Sequence, residues 1–215
     1  MEWIVPFMAV IILLILFVYF LVKKSKSKED TAIILITLSL LVYHLGDLFL
    51  WSGWIGYEIA RRIASIGFYF EIPFMLLLMY WLLPAEKRQL GVKIISAILL
   101  IPWIVAIIMI GKSPIVFLEG LGTYNESFVY ILILCFVISI VFIVINAFRA
   151  KKFREDALGK KLSSFFAIAS IIFTVLYLII FSSIQTVGVD LTWLFGIISI
   201  FYVITLGQGS VIPIK

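Results

Sequence analysis

The chain reads as an all-α membrane protein: a single seven-transmembrane helix bundle with its N-terminus outside and its C-terminus in the cytoplasm. Three observations lead there. Of the 215 residues, 64% are hydrophobic, and the mean hydropathy is +1.24, which is more apolar surface than a soluble domain of this size needs. Apolar runs of about 20 residues, enough for a helix to cross a bilayer, recur along the chain. The basic residues fall on alternate connections, as the positive-inside rule requires.

The predicted spans are 3–22, 31–50, 59–83, 92–111, 127–149, 162–185 and 189–207. Only helices fit such segments, because a helix satisfies its backbone polar groups internally. The connections are short and leave no room for a soluble catalytic or DNA-binding domain, so residues 1–215 form one domain. On one side lie Lys23, Lys24, Lys26, Lys28, Lys87, Arg88, Lys93, Arg149, Lys151, Lys152, Arg154, Lys160, Lys161 and Lys215, and on the other only Arg61, Arg62 and Lys112. That asymmetry sets the orientation. The net charge of +5 is a topology signal, with anionic lipid as a further contact. The lipid bilayer is the expected partner, in a cell membrane, and no nucleic acid is expected. The first span carries Glu2 ahead of it and lysines behind it, the arrangement of an N-out anchor rather than a cleaved signal peptide.

Helix by helix, the spans differ in polarity. The first is apolar nearly all round and belongs at the bundle edge, facing lipid over a wide arc. The fourth and fifth are also lipid-compatible, and Pro102 before Trp103 predicts a kink in the fourth. The sixth repeats Ser163, Ala167, Ser170, Thr174 and Tyr177 on one face, and the third repeats Ala60, Ala64, Gly67 and Glu71. Small and polar stripes let backbones approach, so these two helices are expected at the centre, whether for plain packing or for function. The outer connections are 51–58, 112–127 and 182–190. The middle one is long enough to cover a cavity, and its Asn125-Glu126-Ser127 matches a glycosylation sequon that chance also explains. Trp3, Trp51 and Trp54 fit an outer aromatic belt and Trp81 an inner one.

The chemistry-bearing residues lie inside spans. His44 is the only histidine, and Asp47 follows it by one helical turn. Counted from the inner ends of their helices, His44 sits roughly 20 Å up and Glu71 about 18 Å up, so the two are expected at similar depth. An ionisable group mid-span costs about 2.5–3.5 kcal/mol on insertion scales. Groups of this kind on adjacent helices should therefore point inward and pair. The expectation is a polar core of His44, Glu71 and Asp47 capped by Arg62, with Thr174 and Tyr177 completing it. Such a core is either a ligand or proton site, able to change charge and bias a two-state bundle, or a static network that fixes helix register.

Several enzymatic readings fail on residue counts. A metal-dependent hydrolase needs several histidine or acidic ligands, and one histidine with two carboxylates is too few. Cys135 is the only cysteine, which excludes an internal disulfide and a cysteine-based metal site. Ser210, flanked by glycine, is far from His44 in depth, so a serine nucleophile pair is rejected. No span holds an interior lysine for a retinal Schiff base. No cofactor, no metal and no enzymatic activity are expected. A small carrier stays open, although the three-plus-one-plus-three repeat with matching prolines is missing: Pro6, Pro73 and Pro102 have no counterparts in the last three spans.

The stretch "ARRIASIGFYFEIPFMLLLMYWL" (60–82), with arginines near its outer end, a mid-span glycine, Pro73 and an aromatic exit, is followed by short basic inner loops. The outer loop before the fifth span contains glycine, and that span ends at Arg149. In this layout the chain resembles the seven-helix N-terminal sensing region of certain prokaryotic histidine kinases. The resemblance implies an input module that senses an external or membrane cue. It departs from that pattern at "VIPIK", where no kinase, cyclase or other output domain follows. The signal is then expected to pass to a separate cytoplasmic signalling protein, or the chain is an excised or degenerate module. The reading is a sensor or receptor-like module, with movement carried inward by the third and sixth helices. The segment "RAKKFREDALGKK" (149–161) would contact a partner or anionic lipid, or simply anchor the inner side. A small transporter and an accessory subunit of a membrane complex are the alternatives.

Overall fold

A computed structural model describes residues 4–23, 27–109, 126–187 and 193–210, with backbone only for 109, 126–130, 177, 180–187, 193, 209 and 210. These residues form α1 (Ile4–Val22), α2 (Lys28–Ser52), α3 (Tyr57–Leu82), α4 (Leu90–Met109), α5 (Glu126–Phe153), α6 (Ala157–Val187) and α7 (Trp193–Ser210), with one 3-10 turn at Ala85–Lys87. No strand occurs among the described residues. Six helices are long and apolar enough to cross a membrane, and α7 contributes a shorter apolar helix over Leu194–Gln208. The chain is therefore a helical protein of the multi-pass membrane type.

Neighbours in sequence pack side by side, and α1 closes against α7, so the helices form a ring. Within it α3 also reaches α5 and α6, and α2 also reaches α7. The interior thus belongs to α3 and α2. The sixth helix, expected beside α3 at the centre, packs mainly between α5 and α7. Its stripe of Ser163, Ala167, Ser170 and Thr174 is buried as expected, but it serves those two neighbours.

The α2–α3 seam is the closest in the bundle, and two glycines explain it. A Cβ on Gly67 would lie 2.5 Å from the Ser39 carbonyl oxygen and 2.7 Å from the Tyr43 Cα. A Cβ on Gly46 would lie 2.6 Å from the Ala64 Cα. Each helix inserts a glycine against the other's backbone, as small residues do in membrane bundles. These two contacts also fix the antiparallel register, with Gly46 level with Ala64 and Tyr43 level with Gly67.

The helix ends follow local chemistry rather than hydropathy. Ser27 caps α2: its hydroxyl accepts from the Asp30 amide at 3.0 Å, and the Asp30 carboxylate accepts from the Ser27 amide at 3.1 Å. This reciprocal capping box starts α2 three residues before the apolar run predicts. Gly53, at φ 67°, ends α2 in the left-handed conformation that favours glycine. Pro73 and Pro102 lie inside α3 and α4 without ending either helix.

As expected, α1 sits at the edge: it buries only the narrow stripe Pro6, Ala9, Leu13 and Phe20. Gly196 and Gly207 of α7 face Ala9 and Phe20 in that stripe, so α1 and α7 run parallel. From α4 the stripe Val92, Leu99, Trp103 and Ala106 is buried and the rest is largely exposed, as the lipid-compatible reading predicts. The Trp3 belt position, Asn125 of the sequon and residues 112–125 of the loop lie outside the described residues.

At the end of the bundle that carries the basic residues, several helices are tied by ions. Arg154, just past α5, donates through Nη1 to Glu29 Oε1 on α2 at 2.9 Å and to the Leu82 carbonyl that ends α3 at 3.4 Å, and through Nε to Asp156 at 2.8 Å. Arg88 Nε donates to the Leu83 carbonyl at 2.9 Å, and Lys23 pairs with Asp30 at 3.1 Å. Arg154 of "RAKKFREDALGKK" therefore binds the bundle itself, while Lys151, Lys152, Lys160 and Lys161 remain exposed.

Candidate functional site

His44, Asp47 and Glu71 are all buried, at 1%, 2% and 2% exposure. They point inward, as the cost of facing hydrocarbon requires. Their arrangement differs from the expected one in three respects.

First, His44 does not pair with a carboxylate among the described residues. Its Nε2 lies 2.9 Å from Ser199 Oγ on α7, in hydrogen-bond contact, and its Nδ1 has no hydrogen-bond partner there. The Tyr43 ring, whose centroid is 4.9 Å from the imidazole, also packs on Phe68 and Phe195 and so joins α2 to α3 and α7.

Second, Glu71 is not level with His44. The glycine contacts place Ser39 opposite Glu71, five residues from His44, so Glu71 lies about 7 Å nearer the basic end. The expected depths shared one origin at the apolar boundary. The capping box moves that origin for α2.

Third, the inward arginine is Arg61. Arg62 is exposed and does not cap the core. Arg61 is buried at 5%. The reason is helical phase: Arg61 shares a face with Ala64, Ser65 and Phe68, whereas Arg62 lies on the far side. Across the seam, Arg61 sits within about 3 Å of the level of Asp47.

Thr174 is buried, and its hydroxyl donates to the Ser170 carbonyl of its own helix at 2.8 Å. That bond is intrahelical, so it adds nothing across to α2 or α3. Tyr177 lies in α6, and its side chain falls outside the described residues.

Around Glu71 the structure gathers residues that the sequence does not mark as its neighbours. Phe68 stacks on Phe136 of α5, with centroids 6.3 Å apart and an interplanar angle of 24°. At the other end the Leu82 carbonyl meets Arg154. The two contacts make α3 and α5 parallel; the residue offset is 68 at the first and 72 at the second, where the long arginine side chain spans the difference. Three residues beyond Phe68 comes Glu71, and three beyond Phe136 comes Ser139. Both are buried, and neither Glu71 Oε1 nor Ser139 Oγ has a hydrogen-bond partner among the described residues. On the α6–α7 side, Ser170 Oγ and Tyr202 Oη lie 3.4 Å apart, both buried. Ser199 meets His44, and three residues further along α7 Tyr202 comes to about the axial level of Glu71. Towards the end opposite the basic residues, Phe68, Tyr69, Trp103 and Phe136 form an aromatic layer one turn beyond this level. Ser199 and Tyr202, three residues apart in an apolar helix, were the legible signal for the α7 contribution.

Outside the spans, two groups respond to their surroundings. Burial disfavours the Arg154 charge, but the hydrogen bonds and charges of Asp156 and Glu29 outweigh it and raise the guanidinium above its ordinary value. Burial alone would raise the Asp156 carboxyl. The hydrogen bonds from Arg154 and the Gly159 amide prevail and hold it below its ordinary range. Among the described residues, no group of three histidine, cysteine or acidic side chains is placed to hold a metal ion.

No family model, curated protein or solved structure matches this chain.

Proposed function

We propose that the chain is a seven-span, N-out sensor of the cell membrane, a receptor-like input module that signals through a separate cytoplasmic partner. The observation that carries this reading is Glu71: a carboxyl group buried mid-helix, whose Oε1 has no hydrogen-bond partner among the described residues. A group held there at such cost is suited to respond to a ligand or ion rather than to fix register, because a register device works through satisfied bonds.

A route to the inner side supports the same reading. Glu71 stands on α3, about 16 Å along the axis from Leu82. The Leu82 carbonyl accepts from Arg154, which also holds Glu29 of α2 and Asp156 of the α5–α6 turn. A small movement of α3 therefore changes the setting of the basic segment 149–161. The glycine seam makes α2 and α3 move together, because neither backbone can shift alone without losing its closest contacts.

The test is gentle native purification of the full chain and its Glu71→Gln variant, followed by identification of what co-purifies. A sensor brings down a cytoplasmic kinase or regulator whose association changes in the variant. A fixed set of membrane subunits, unaffected by the substitution, would replace this reading with an accessory role. Substrate flux in liposomes without any partner would replace it with a carrier.

A further inference from the structure

We propose that Glu71, Ser139, Ser170 and Tyr202 form a seat for one sodium ion inside the bundle. This deepens the reading of Glu71 as the responsive group and rests on it only in that respect.

The seat draws on four helices in a chain of contacts: α3 packs on α5 and α6, α5 on α6, and α6 on α7. Phe68 on Phe136 sets α3 and α5 in parallel register, which brings Glu71 and Ser139 to one level three residues further along. The antiparallel α5–α6 turn, from Phe153 to Ala157, places Ser170 at about the level of Ser139. Ser170 in turn touches Tyr202 of α7 at 3.4 Å. All four side chains are buried, at 2%, 0%, 0% and 1% exposure. Buried polar groups are ordinarily paired, and each exception calls for an explanation. Here Glu71 Oε1 and Ser139 Oγ are both exceptions, on adjacent helices and at the same level.

The donor set selects the ligand. One carboxylate with three hydroxyl groups is an all-oxygen set, which suits hard cations rather than zinc or copper. It carries one negative charge. A monovalent cation neutralises that charge, whereas a divalent one would leave a net positive charge in a low-dielectric interior. Asp47 and Asp30, the other buried carboxyl groups among the described residues, lie about 12 Å and about 14 Å from Glu71 along the axis, too far to offset a second charge. A proton would neutralise the carboxyl group through a single oxygen. A sodium ion engages Oε1, Ser139 Oγ and the Ser170–Tyr202 pair together. The aromatic layer of Phe68, Trp103 and Phe136 lies directly beyond the seat and holds it dry on that side.

The experiment is thermal unfolding of the full chain in detergent, at constant ionic strength and slightly alkaline pH, with choline replaced stepwise by sodium, lithium or potassium. Sodium should raise the unfolding temperature saturably, as a ligand that binds the folded state does, with potassium weaker. Radioactive sodium should bind at one ion per chain. Glu71→Gln should abolish both effects, and Ser139→Ala and Tyr202→Phe should each weaken the apparent affinity by about tenfold. Ser163→Ala, which removes another buried hydroxyl away from the seat, should leave the sodium response intact. Ser139→Ala and Tyr202→Phe keep the test decisive if Glu71→Gln fails to fold. Equal unfolding temperatures in sodium and choline, or a sodium response that survives Ser139→Ala and Tyr202→Phe unchanged, would overturn the seat. Partner association that still depends on Glu71 would then leave the sensor reading standing. Sodium binding with no partner at all would keep the seat and remove the sensor.

Discussion

Replacing Gly67 with alanine tests whether the α2–α3 seam is as tight as its geometry states. The new methyl would meet the Ser39 carbonyl oxygen at 2.5 Å and the Tyr43 Cα at 2.7 Å. Both are backbone atoms, so neither can rotate away. Restoring an ordinary carbon contact of about 3.5 Å requires the helices to part by about 1 Å. A gap of that size forfeits roughly a quarter to a half of the dispersion attraction of each contact along the seam. Overpacking of this kind costs about 1–3 kcal/mol, while alanine gains up to about 1 kcal/mol over glycine in helix propensity. A mid-range cost set against the full helix gain leaves a net loss of about 1 kcal/mol, or roughly 2–4 °C of unfolding temperature for a chain of this size. Gly91, in the first turn of α4, is the control: nothing lies within 4 Å of its hypothetical Cβ. Gly91→Ala should be neutral or stabilising by at most about 1 kcal/mol. Circular-dichroism melting in detergent reads both variants. If Gly67→Ala melts at or above the wild type, the close approach of the two backbones is refuted.

Three further outcomes are expected. Arg154→Ala should cost about 1–2 kcal/mol, because the guanidinium bonds a carbonyl and two carboxylates while only partly shielded. Limited trypsin digestion should then cut faster at Lys151 and Lys152, and unchanged cleavage together with an unchanged melt would contradict the latch. The Asp156 carboxyl is held below its ordinary 3.8, so the unfolded chain takes up this proton first. Its contribution is complete above that value and is lost as pH falls through the lower folded value. An acid titration of stability should therefore show a shallower acid limb in Asp156→Asn, and identical limbs would count against the pairing. Ser199→Ala should destabilise by about 1–3 kcal/mol, because it leaves the second imidazole nitrogen of His44 unpaired as well. Histidine NMR should report a changed ring environment in the same variant, and an unaltered signal would place the serine elsewhere.

The helices, their approximate spans and their apolar faces were legible in the sequence, because a hydrocarbon solvent imposes length and composition on every segment that crosses it. Inward orientation of His44, Asp47 and Glu71 followed from the same solvent. Which arginine turns inward was also recoverable: Arg61 shares the helical phase of Ala64 and Phe68, and Arg62 does not. That signal was in the sequence and was misread by one residue. The start of α2 was legible too, since Ser27 and Asp30 spell a capping box, yet hydropathy alone placed the boundary three residues late. That offset carried Glu71 to the level of His44.

Local periodicity and the hydrocarbon solvent thus settle what each helix contributes and which face it hides. Partners come from the packing of the whole bundle. His44 meets Ser199 across 155 positions of chain, Arg154 meets Glu29 across 125, and Glu71 shares a level with Ser139 because Phe68 happens to stack on Phe136. Pairings of that kind depend on how the ring of helices closes and on the axial shift at each contact. A shift of one turn, about 5.4 Å, exchanges one polar neighbour for another while leaving every helix equally apolar towards lipid.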